Sequence, residues 1–178
     1  MLTCRVRQAP LQSSSSSSSS YSYSPQMDYV QQNGRNIRFI DNPSDAVQLA
    51  AIQQNAWAIH YIKNPSKRLQ LIAIKKQPKV IKYINDPSEE VQLAAVTQSG
   101  WVIYDLNNPS EDVKLAAVSS AGRSIKYLND PSEKVQLAAI QQDCNAIKYI
   151  ANPSDVVLIF HAMREDYRDE YEGEDDDY

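Results

Sequence analysis

Six pairs of side chains, each pair set three residues apart, recur along this chain every 22 residues: Arg35 and Arg38, Trp57 and His60, Lys79 and Lys82, Trp101 and Tyr104, Arg123 and Lys126, Asn145 and Lys148. Residues three apart share a helix face, so through the first five pairs basic and aromatic groups alternate along one line. Such a line has binding chemistry. A basic strip broken by aromatic platforms suits an extended acidic peptide, or single-stranded nucleic acid whose bases stack while cations follow the phosphates. The plainer alternative folds Trp57 and Trp101 over a neighbouring repeat and leaves the Lys and Arg side chains to keep a face soluble. Tyr61, Tyr83, Tyr127 and Tyr149, with Asp105 in the one differing copy, are expected to pack between repeats.

Reaction chemistry finds no comparable pattern. The two histidines, His60 and His161, fall in non-equivalent slots, and no nucleophile motif or glycine-rich phosphate loop accompanies them. Carboxylate pairs such as Glu89 and Glu90 recur because helices start there, where acids favour the helix dipole. No catalytic residue, metal site or cofactor is expected. Cys4 and Cys144 have neither metal-ligand nor disulfide-framework spacing, and Cys144 fills a turn slot held elsewhere by Gly34, Gly100 and Gly122. The chain carries 18 Lys and Arg against 22 Asp and Glu, net −4. Residues 29–162 hold 14 basic against 12 acidic residues, a surplus of only +2. That is a weak basis for holding phosphates. No apolar run approaches the roughly 20 residues that span a bilayer, so the expectation is a soluble, cytoplasmic protein without membrane contact.

The elements that position the pairs are set by one unit. Asp86-Pro87-Ser88-Glu89-Glu90-Val91-Gln92-Leu93-Ala94-Ala95-Val96 recurs with its proline at 43, 65, 87, 109, 131 and 153. Units of this length cannot bury their own apolar face and must stack. The residue before each proline (Asn42, Asn64, Asp86, Asn108, Asp130, Asn152) is read as a helix N-cap with proline at the first helical position. Asp45, Glu89, Glu111, Glu133 and Asp155 follow in the first turn, with Lys67 as the exception. Each unit should give a helix of about 11 or 12 residues, a tight turn and a second helix of about 7 or 8, too short to persist without neighbours. A half repeat, with Val30, Gly34 and Ile37 in register, precedes the first proline and caps that end. The last copy replaces the paired alanines with bulkier side chains, as in Ile159 and Phe160.

The ends differ in composition. Residues 1–28 form a segment built on the serine run Ser13 to Ser20, too poor in aliphatic residues to order itself. An organellar transit peptide over residues 1–26 is the minor alternative, resting on Arg5, Arg7 and the absence of acids before Asp28. Met27 is an alternative translation start. Residues 163–178 form an acidic tail with Tyr167, Tyr171 and Tyr178 interleaved, either solvated or folded back on the basic and aromatic line.

The run Pro-Ser-Glu-Glu-Val-Gln-Leu-Ala-Ala-Val, followed by Ile-Lys-Tyr-Ile/Leu-Asn-Asp and clearest over residues 109–152, resembles a short helical repeat of a domain-of-unknown-function family from phage, giant-virus and bacterial proteins. More distantly it is similar to HEAT and leucine-rich-variant solenoids, and that similarity implies a binding scaffold. The expectation is therefore an all-α chain, an alpha-solenoid of short two-helix repeats over residues 29–162. Its role would be non-catalytic protein–protein interaction, with weak single-stranded nucleic-acid binding or a purely structural solenoid as alternatives. The partner would be a protein that presents an acidic segment.

Overall fold

The computed structural model describes residues 25–172, with side chains through Arg164. The serine run and nearly all of the transit-peptide alternative lie outside the described residues, as does the tail beyond Glu172. Every described regular element is helical. Ten-residue α-helices alternate with six-residue 3₁₀ helices: α1 (Pro25–Gln32), η1 (Gly34–Phe39), α2 (Asp45–Gln54), η2 (Ala56–Tyr61), α3 (Lys67–Lys76), η3 (Pro78–Tyr83), α4 (Glu89–Gln98), η4 (Gly100–Asp105), α5 (Glu111–Ser120), η5 (Gly122–Tyr127), α6 (Glu133–Gln142), η6 (Cys144–Tyr149) and α7 (Asp155–Glu172). The first and last of the long helices alone depart from ten residues. Helix α1 starts at Pro25, inside the segment expected to lack order. Helix α7 continues to Glu172, well into the acidic stretch.

Two local expectations are corrected. Both helices of the unit are shorter than the spacing suggested, because the cap is serine and not the Asn or Asp two residues earlier. Ser110, Ser132 and Ser154 accept from the N–H three residues on, at 3.4, 3.3 and 3.3 Å. Proline therefore precedes the helix, and Asp45, Lys67, Glu89, Glu111, Glu133 and Asp155 are first helical residues. Asn42, Asn64, Asp86, Asn108 and Asp130 have φ of 50°, 48°, 48°, 47° and 49°. Asn and Asp are the side-chain-bearing residues that enter this left-handed region most readily, which explains their restriction to those two types. The second element is 3₁₀ because it is squeezed between two extended residues. In unit three these are Gln77 at φ −153° and Ile84 at φ −97°, whose N–H returns to the Ile81 carbonyl.

Contacts run only between successive units. Each long helix touches the long helices before and after it, each 3₁₀ helix touches the next 3₁₀ helix, and none skips a unit. The seam is built from recurring slots. Ala51, Ala73, Ala95, Ala117 and Ala139 are fully buried, which lets neighbouring helices approach closely, and Ile52, Ile74, Val96, Val118 and Ile140 beside them are equally enclosed. The 3₁₀ helices η1 to η5 each contribute one buried Ile, such as Ile59, Ile81 or Ile125, worth roughly 1.5–3 kcal/mol of burial apiece.

Polar ties join the units at both ends of the long helices. At the N-terminal end the capping serine of one unit donates to the first helical acid of the unit before: Ser110 to Glu89, Ser132 to Glu111, and Ser154 to Glu133 at 2.6 Å. Lys67 offers no acceptor, and Ser88 makes no cap bond; Lys67 pairs instead with Glu90 of the next helix. At the C-terminal end the first N–H of a 3₁₀ helix donates to the last side chain of the next long helix. Gly34 reaches Gln54 Oε1 at 2.6 Å, Gly100 reaches Ser120 Oγ at 3.2 Å and Gly122 reaches Gln142 Oε1 at 2.6 Å. Where the slot is not glycine the tie changes. Pro78 has no N–H to give, and Gln98 turns back to the Ala94 carbonyl; opposite Ala56, Lys76 donates to the Gln53 carbonyl.

Candidate ligand-binding face

All six pairs picked out by spacing lie on η1 to η6, in unit order: Arg35 and Arg38, Trp57 and His60, Lys79 and Lys82, Trp101 and Tyr104, Arg123 and Lys126, Asn145 and Lys148. Trp57 and Asn145 are half-buried and the other ten are exposed. These 3₁₀ helices carry Arg35, Arg38, Lys79, Lys82, Arg123, Lys126 and Lys148 against a single acid, Asp105. The chain is acidic as a whole, so this edge is where its positive charge concentrates.

The alternation of basic and aromatic pairs produces two composite clusters. Trp57 meets Tyr83 of the following unit edge-on at 5.5 Å, and His60 lies 4.6 Å from the same ring. Lys82, also from the following unit, holds its ammonium 5.8 Å from the Trp57 ring and 5.0 Å from Tyr83. Two units on, Trp101 meets Tyr127 at 6.2 Å and Tyr104 meets it at 5.0 Å, with Lys126 over Trp101 and Tyr127 at 5.1 and 4.8 Å. An aromatic pair thus reaches forward, and the next unit's lysine reaches back over it. Tyr83 and Tyr127 are the rings on which both clusters turn, so these two tyrosines pack between units and also help form the face.

The basic line is therefore not a free row of cations. Lys82 and Lys126 sit over rings, Arg38 stacks on Phe39 at 4.4 Å, and Arg123 pairs with Asp143 at 2.6 Å. Exposed cation–π and ion pairs are each worth about 1 kcal/mol or less, weak enough for a well-placed anion to replace. The two tryptophans also differ. Trp57 packs against the buried core, whereas Trp101 is 43 % and Tyr104 70 % exposed, which leaves the second cluster as the more available platform.

Beside the clusters, where each 3₁₀ helix turns towards the next proline, three open grooves follow one another. The first, about 770 Å³, is lined by His60, Lys82, Tyr83 and Asn85 among others. The second, about 360 Å³, includes Lys82, Asn85, Asp105 and Asn107. The third, about 580 Å³, includes Asn107, Lys114, Tyr127 and Asn129. Sequence reasoning overlooked these asparagines, absorbing them into the punctuation before each proline. Their 22-residue period was the signal that could have found them.

Among the described residues no three His, Cys, Asp or Glu side chains gather closely enough to hold a metal ion, and no helix is long and apolar enough to cross a membrane. Comparison with family models, with curated proteins and with solved structures gives no match to this chain.

Proposed function

We propose that the chain is an α-solenoid serving as a non-catalytic protein-interaction scaffold, and that it takes an acidic segment of a partner along the edge formed by its 3₁₀ helices. The observation that carries this reading is the sorting of charge: seven cations and one acid on six short helices, interrupted by two aromatic clusters, in a chain of net −4. Units that contact only their neighbours offer a long, regular edge of this kind. The more distant similarity of the repeat to HEAT and leucine-rich-variant solenoids is consistent with a scaffold as well.

Single-stranded nucleic acid is the second reading, favoured by the exposure of Trp101 and Tyr104. It is the weaker one because residues 29–162 carry a basic surplus of only +2, a weak basis for holding a run of phosphates. Titration of an acidic peptide and of a single-stranded oligonucleotide at several salt concentrations separates the two. The scaffold reading expects the peptide to bind more tightly at physiological salt. Preferential binding of the oligonucleotide, with a steep logarithmic salt slope, would overturn it.

A further inference from the structure

Neighbouring grooves share lining residues. Asn85 lines the first and the second, and Asn107 lines the second and the third, with Asn129 closing the row. These three hold one slot in successive units and are exposed. Three other asparagines are committed: Asn33 and Asn55 cap 3₁₀ helices, and the Asn36 amide donates to the Tyr29 carbonyl. The carboxamides of Asn85, Asn107 and Asn129 have no partner among the described residues.

We infer that Asn85, Asn107 and Asn129 read the main chain of an extended acidic polypeptide laid along this trough, each amide meeting the N–H and C=O of one residue. This rests on the scaffold reading above. A carboxamide offers a donor and an acceptor side by side, the complement of the N–H and C=O that a single residue of an extended chain presents to one side. A lysine or aspartate in the slot would satisfy only one of the two, and Lys63 and Asp41 occupy it only nearer the N-terminal end. The period also fits. Packed helices lie about 8–10 Å apart and a polyproline II chain advances about 3.1 Å per residue with three residues per turn, so successive amides meet every third residue on one side of the segment. Charge selects an acidic segment: Lys63 and Lys82 border the first groove and Lys114 the third. The middle groove carries Asp86 and Asp105, which places the segment's acidic side chains over the outer two.

The test uses the full chain and a synthetic peptide of repeating Tyr-Glu-Glu units, about twelve residues long so that it spans the row at about 3.1 Å per residue. Binding is measured for the native chain and for the triple variant Asn85→Ala, Asn107→Ala, Asn129→Ala. It is also measured for a peptide of the same side chains, N-methylated at every third main-chain nitrogen. At roughly five-fold per hydrogen bond, the methylated peptide, which loses three bonds, should bind on the order of a hundred-fold more weakly, and the triple variant, which loses six, at least as weakly as that. Equal binding in both arms would overturn the role of the asparagines and leave the scaffold reading standing. No binding of the unmodified peptide to the native chain would overturn both. The methylated peptide needs no variant, so the test survives any effect of the substitutions on folding.

Discussion

The joint between units five and six gives the sharpest stability prediction. Gly122 lies where a Cβ would come within 2.5 Å of the Ala139 carbonyl oxygen, 2.8 Å of Gln142 Oε1 and 3.1 Å of the Asp143 Cβ. Ordinary contact begins near 3.4 Å, so Gly122→Ala must push η5 and α6 apart by about an ångström. Opening the joint also stretches the 2.6 Å bond from Gly122 N–H to Gln142. Overpacking of this size costs about 1–3 kcal/mol, and the lost hydrogen bond about 1 kcal/mol more, giving a total of about 2–4 kcal/mol. The chain contains its own control, because Ala56 fills the same slot opposite Lys76, which donates to the Gln53 carbonyl and asks nothing of the Ala56 N–H. Adding Gln142→Lys to Gly122→Ala copies that joint and should recover part of the loss. Urea unfolding followed by circular dichroism measures both, with the coupling taken from the double-mutant cycle. A Gly122→Ala midpoint within about 0.5 kcal/mol of the parent, a shift typical of a neutral surface change, would refute the close-approach argument.

Other outcomes follow from single contacts. Ser124 Oγ is fully buried without a partner in a slot that the neighbouring units fill with Val102 and Ala146. Ser124→Ala should therefore raise stability by about 1 kcal/mol, seen as a higher melting temperature. Trp57→Ala should destabilise by about 2 kcal/mol, below the range for a fully buried tryptophan, because that ring packs on the core and on Tyr83. Trp101→Ala should cost about 1 kcal/mol or less yet weaken acidic-peptide binding about ten-fold, read by titration. Glu111→Ala removes the acceptor of Ser132; at an exposed site this should lower stability by less than about 1 kcal/mol in urea.

The repeat and its helical character were legible because proline, capping residues and apolar slots all obey one period. The cap itself was misplaced by two residues. Asn or Asp before proline and serine after it are both good caps on chemistry alone, and only the backbone at Asn64 or Asp86, with φ 48°, distinguishes a left-handed turn residue from a cap. The 3₁₀ character of the second element was not legible either. Six residues such as Pro78–Tyr83 carry too little pattern to separate a 3.0 from a 3.6 period. The pairs on the face could be read from their spacing. That Lys82 leans back over Trp57 could not, since contacts across a joint depend on how far one unit is rotated against the next. Lys67 looked like a lapse in the pattern and proved to be a substituted tie, the ammonium reaching Glu90 where serine and acid meet in the later units.

The most direct test of the account is a set of distances along the stack. Arg35, Lys79 and Arg123 are exposed and equivalent, and spin labels can be placed there pairwise by Arg35→Cys, Lys79→Cys and Arg123→Cys, with Cys4→Ser and Cys144→Ala removing the native thiols. Pulsed electron resonance should give about 16–20 Å for 35 to 79 and again for 79 to 123, two helix-packing steps each. The 35 to 123 separation should then be about 32–40 Å, close to the sum of the two. A 35 to 123 distance no longer than either half would mean that the units fold back on one another, and the continuous edge on which the proposed binding depends would not exist.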